Sequence, residues 1–216
     1  MNKNTIRKFN KQMTTIKGAV MITEESFKKG IATVTRILND GKEHKIVLPL
    51  PSLSGAIIDG NYEYYVSGAD IKHAPLTVSK QINIGYNKLE SLKNCPDTCE
   101  SINLSSIESL KTLHGISKYI ESELNIGDCK DIESLDGSPS EVQYFILFNV
   151  PKLKTLKFAP IADTYRILKC PDVPDEEIDL SKNDKELFHK WLKSGEDFKD
   201  FMYKKRGITL GKKFGF

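Results

Sequence analysis

The chain of 216 residues carries 32 basic and 29 acidic side chains, a formal net charge of +3, with 39% hydrophobic residues. That balance excludes global disorder and allows a sizeable core in one elongated domain or two small ones. No apolar run approaches the ~18 to 20 residues of a membrane span, and Gly18–Ile22 is too short for a signal-peptide core, so the sequence reads as soluble and cytoplasmic, with no membrane partner.

Charge is uneven along the chain. Lys3, Arg7, Lys8, Lys11 and Lys17 precede the first acid, Glu24, and Lys199, Lys204, Lys205, Arg206, Lys212 and Lys213 make the other end basic. The centre between them leans acidic. Basic termini suit a phosphate backbone, so a nucleic-acid partner is one reading, although Lys-rich ends are more commonly solvated tails.

Residues 1–45 read as an N-terminal arm and cap. The β-branched run Ile31–Leu38 and the run Lys45–Leu48 flank Asn39, Asp40 and Gly41, a hairpin turn signal. A competing helix over Glu24–Leu38 would align Phe27, Ile31, Val34 and Leu38, against which stand Gly30 and the β-branched content.

Residues 46–180 carry an internal repeat. Short apolar alternations begin at Ile82, Ile102, Leu124, Phe145 and Ile167, at offsets of 20, 22, 21 and 22. Weaker echoes start at Ile46 and Tyr64. An apolar-x-x-Leu step follows most of the strands, at Leu89–Leu92, Ile107–Leu110, Ile132–Leu135 and Leu153–Leu156, and then a Pro or Gly turn. Each unit supplies one short strand with alternate residues inward, and no unit buries that face alone, so the units must stack into a parallel sheet. An ordinary α/β domain is the alternative, but 93–100 and 136–142 carry Pro or Gly and lack a helical apolar stripe.

The pattern resembles the leucine-rich-repeat family, in particular the short repeats of bacterial effector and tailed-phage proteins. Its best match runs from Ile82 to Leu92, with Asn87 where the family's Asn hydrogen-bonds backbone groups of the turn. Cys129 and Ile107 take the equivalent place in other units, and Asn149 is displaced from it by Val150. The resemblance implies a mainly β solenoid that engages a protein through its concave sheet, such as a phage or bacterial factor that inhibits or otherwise modulates a host protein. Asn83, Asn103, Asn125 and Ile146 are then expected to project from that sheet. Glu90, Glu108 and Glu133, inside the recurring steps, are expected to form an acidic column along one edge.

Residues 181–216 read as a helical cap and basic tail. Ser181 or Asn183 can cap a helix bearing Leu187, Phe188, Trp191 and Leu192, which Ser194 and Gly195 end before a second helix with Phe198, Phe201 and Met202. These stripes suit packing on the end of the solenoid, and a partner-binding helix is the other reading.

No reaction is named by any motif. Cys95 and Cys99, with His114, Cys129 or Cys170, offer zinc-type ligands but lack a second close pair. His44, His73, His114 and His189 lie in unrelated segments without a nucleophile or metalloprotease motif, and the glycines after Gly207 follow no strand. The expected protein is a non-enzymatic binding module with four reduced cysteines, no metal and no cofactor.

Overall fold

The computed structural model describes residues 13–205, and its strands join in one sheet. Strands β1 (Thr15–Lys17) and β2 (Ala19–Thr23) are followed by a short helix α1 (Glu24–Lys28), then β3 (Ile31–Ile37) and β4 (Glu43–Pro49). After a 3-10 turn at Leu50–Leu53 come β5 (Ile57–Asp59), β6 (Tyr62–Tyr65), β7 (Thr77–Val78), β8 (Gln81–Asn87) and β9 (Thr98–Ile107). The series closes with β10 (Tyr119–Gly127), β11 (Glu141–Phe148) and β12 (Ile161–Leu168). Strands β2, β6, β8, β9, β10, β11 and β12 pair in that order, all parallel. A parallel ladder between successive strands requires each connection to return to the same sheet edge, which defines a β-solenoid.

Two inward columns build the core. Val20, Tyr62, Ile82, Ile102, Leu124, Phe145 and Tyr165 stand in register, as do Ile22, Tyr64, Ile84, Leu104, Ile126, Leu147 and Ile167. All are buried. The fifth predicted unit is therefore corrected by two residues, because Tyr165 and not Ile167 continues the column of Phe145. The expected apolar alternation survives that shift, since a strand's side-chain period is two.

Each of the last five coils turns out of its strand the same way. Tyr86, Ser106, Asp128, Asn149 and Lys169 adopt left-handed backbone with φ of 52 to 55°. The residue after each, Asn87, Ile107, Cys129, Val150 or Cys170, folds back into the core. Ile107 thus occupies the arc position of Asn87, as expected, rather than the later step position of Leu89. The returns are helix-free, and Leu89, Leu92, Leu110, Leu113, Ile132, Leu135, Leu153 and Leu156 line the core from that side.

The N-terminal hairpin forms, with β3 and β4 antiparallel over Ile31–Ile37. It extends the sheet beyond β2. Glu24–Leu38 holds a helix only over Glu24–Lys28, where the Thr23 side chain accepts from the Ser26 N–H. The echo at Ile46 lies in β4 and is antiparallel, so it is no solenoid strand; β2 holds the first parallel place. The echo at Tyr64 is a true parallel strand.

Helices α2 (Asp175–Asn183) and α3 (Lys185–Ser194) close the other end, and residues 198–205 are helical again. The cap of α3 is Asp184, whose carboxylate accepts from the Leu187 N–H at 3.0 Å, in place of the expected Ser181 or Asn183. Those two lie within α2, the first helix, which the apolar pattern does not announce. Phe188 packs edge-on against Tyr165 at 5.0 Å between ring centroids, and Trp191 against Phe198 at 4.9 Å. Burying a ring of this kind contributes about 1.5 to 3 kcal/mol. The free edge of β12 is covered as well: His189 Nε2–H donates to the Ala162 carbonyl at 3.2 Å and Lys185 Nζ to that of Asp163 at 2.8 Å.

Candidate functional site: the outer face of the sheet

Because side chains alternate, the residues between the two inward columns must share the opposite face. They form one unbroken row across the sheet: Val47, Thr33, Met21, Glu63, Asn83, Asn103, Asn125, Ile146 and Arg166. The four expected face residues, Asn83, Asn103, Asn125 and Ile146, are therefore consecutive in it. The Asn residues and Ile146 are half-buried by their neighbours, while Arg166 is exposed.

The face changes character along the solenoid. In its middle, Gln81, Asn83 and Gly85 stand beside Ser101, Asn103 and Ser105, then Glu123, Asn125 and Gly127, so the surface is low and amide-rich. On β11 it becomes apolar with Tyr144, Ile146 and Phe148, followed in register on β12 by Thr164, Arg166 and Leu168. Tyr144 is 47% and Leu168 42% exposed. Lys169 lies over the Phe148 ring, 4.8 Å from its centre. Arg166, Phe148 and Leu168 were not foreseen as face residues, although correct register of the last unit would have placed Arg166 beside Ile146.

The glutamates are arranged otherwise than expected. Glu108 follows the arc residue Ile107 directly, whereas Glu90 lies three residues past Asn87 and Glu133 four past Cys129. They form no single column. The Glu108 carboxylate instead meets Lys88 at 3.5 Å, and the Glu133 N–H donates to the Lys111 carbonyl at 3.0 Å. The return side is laced by further pairs between neighbouring coils: Asp97 with Lys118 at 3.5 Å, Asp131 with Lys152 at 2.6 Å and His114 with Asp136 at 2.9 Å. The Lys152 ammonium holds the Asp131 carboxyl below its usual range.

The cysteines are all free and buried. Burial pushes the Cys95 and Cys129 thiols up to about 11 and the Cys99 thiol up to about 12, which favours the protonated form over the thiolate a metal requires. Among the described residues no group of three or more His, Cys, Asp or Glu side chains converges on a metal-sized site. A groove of about 860 Å³ separates α2 from the 198–205 helix, with Leu180, Phe198 and Met202 among its lining and Lys, Asp and Glu mixed around them. No helix among the described residues is long and apolar enough to cross a membrane. Of the basic ends, Lys3, Arg7, Lys8, Lys11, Arg206, Lys212 and Lys213 lie outside the described residues; Lys204 pairs with Glu196 at 2.8 Å.

The fold and this surface define a parallel β-solenoid with a hairpin at one end and a helical cap at the other. No family model matches the chain, and no curated protein or solved structure matches it.

Proposed function

We propose that this chain is a protein-binding solenoid whose partner docks on the outer face of the sheet, centred on its β10–β12 end. The observation that carries the reading is the row Tyr144, Ile146 and Phe148 with Leu168 beside it, side chains presented to solvent from a rigid ladder. Contiguous apolar side chains exposed on a face mark interaction surfaces, and Tyr and Arg in such a patch are residue types that dominate interface energetics. The amide stretch of Asn83, Asn103 and Asn125 then serves as the polar rim. The finer reading, a cytoplasmic phage or bacterial factor that modulates a host protein, rests on the resemblance of the repeat units alone. No catalytic step is assigned.

Affinity capture from the native host, quantified by mass spectrometry, tests this. The full chain is compared with the double variant Ile146→Asp and Phe148→Ser, and with Glu90→Lys, Glu108→Lys and Glu133→Lys combined. The partner is expected to be lost from the first and kept by the second. Retention by a folded Ile146→Asp, Phe148→Ser variant rejects the reading.

A further inference from the structure

Resting on that reading, we propose that the element recognised at the β10–β12 end is an acidic amphipathic helix, with an apolar face against Tyr144, Ile146 and Phe148 and carboxylates toward Arg166 and Lys169. Four observations carry this. The patch is bordered by two cations, and neither has an ion-pair partner among the described residues; Lys169 lies over the Phe148 ring. Elsewhere Lys88, Lys118 and Lys152 are each matched to an acid of the neighbouring coil.

Glu123 on the face and Asp128 in the arc do not compensate. Glu123 stands in the column of Tyr144 and Thr164, two strands across and two residues along from Arg166, roughly 12 Å away at the usual strand spacing and rise. The Asp128 carboxylate is already engaged by Asn149, whose Nδ2–H donates to it at 2.5 Å. A partner that covered the patch without supplying an acid would strand a guanidinium away from water, which is strongly unfavourable, whereas an Arg with a carboxylate forms a strong charge-assisted pair.

Finally, Lys185 and His189 of α3 occupy the Asp163 and Ala162 carbonyls at the start of the β12 edge, so an incoming segment cannot pair with those carbonyls as a further strand. It lies across the face and is read through its side chains, the mode of an amphipathic helix.

The test uses three short synthetic amphipathic helices with one shared Leu/Phe face and a polar face of Glu, Gln or Lys, titrated against the full chain by fluorescence anisotropy. The Glu peptide is expected to bind roughly ten-fold tighter than the Lys peptide at low salt, with the gap narrowing as salt rises. Arg166→Glu with Lys169→Glu should reverse the order, and Arg166→Lys should largely retain it. Equal binding of all three, abolished by Ile146→Asp, overturns the acidic inference while leaving the apolar docking face standing. Absence of binding by any peptide overturns the helix proposal outright. Displacement of the Glu peptide by a single-stranded oligonucleotide that itself depends on Arg166 overturns it in favour of a nucleic-acid face. Circular dichroism establishes that each variant is folded.

Discussion

The carboxylate of Glu177, in α2, reaches back into the preceding coil and accepts the Leu156 N–H at 2.6 Å. It also takes the Thr155 hydroxyl, at 2.9 and 3.1 Å from its two oxygens. This stitch fixes the helical cap to the solenoid. Glu177→Ala leaves a buried N–H without an acceptor and is expected to cost about 1 to 3 kcal/mol by denaturant unfolding. Glu177→Gln keeps an amide oxygen in place and should cost less. Burial raises the Glu177 carboxyl above its ordinary 4.5. The folded state therefore holds this proton more tightly than the unfolded chain. The associated stability is complete below pH 4.5 and is lost as pH rises through the folded-state value. That component should vanish from the stability–pH profile of Glu177→Gln.

Asn87 is expected to be a liability of the present sequence. It fills the arc position held in other coils by Ile107, Cys129, Val150 and Cys170, and both polar atoms of its amide are buried without a hydrogen-bond partner. The family resemblance implies bonds from this Asn to backbone groups of the turn, and here they do not form. Asn87→Val copies Val150, the residue that succeeds at the same place in the fourth of the five arcs. It should raise stability by about 1 to 2 kcal/mol, from relief of an unmet desolvation cost. A loss of stability in thermal or urea unfolding would contradict the account.

The close stacking of the returns makes a third prediction. A Cβ at Gly137 would lie 2.5 Å from the His114 backbone nitrogen, in a residue with φ of +93°. Gly55 has a similar backbone, φ of +78°, but nothing within 4 Å of the same position. Gly55→Ala should cost only the left-handed backbone penalty, about 1 to 2 kcal/mol. Gly137→Ala adds a clash with main chain that cannot rotate aside, and should be the more destabilising by at least about 1 kcal/mol. Equal midpoints would show that neighbouring coils are less tightly stacked than this.

The repeat was legible because inward positions tolerate only apolar side chains, so Ile82, Ile102, Leu124 and Phe145 announce themselves whatever the loops between them do. The same rule placed Asn83, Asn103, Asn125 and Ile146 on the opposite face. Register failed where two inward residues were equally good anchors: Tyr165 and Ile167 are both buried, and the period alone cannot choose between them. The Glu-Ser-Leu similarity misled for a related reason. Loop lengths differ between coils, so like tetrapeptides sit at unlike places, and Lys88 rather than another acid neighbours Glu108. Helix α2 escaped notice because its fully buried side chains are Glu177 and Ser181, and only Ile178 and Leu180 supply apolar contact with the core.

The cysteines give a prediction that separates a structural role from a chemical one. Cys99 lies on β9, Cys129 and Cys170 in the arcs, and Cys95 in the return after Leu92, all inside the core. Disulfide-exchange reagents attack through the thiolate, whose fraction is small when burial lifts the pKa to about 11 or 12 and whose access is blocked by packing. Native protein at pH 8 is therefore expected to react with Ellman's reagent only at the rate of unfolding, and all four thiols should titrate at once in denaturant. Because the folded thiols sit above their unfolded value of 9.0, the folded state retains protons that the unfolded chain releases. Stability should fall as pH rises above 9 toward the folded values. Rapid labelling of one or more cysteines in the native protein, with the remainder slow, would mean that the coil opens locally there and that the thiol is available for chemistry.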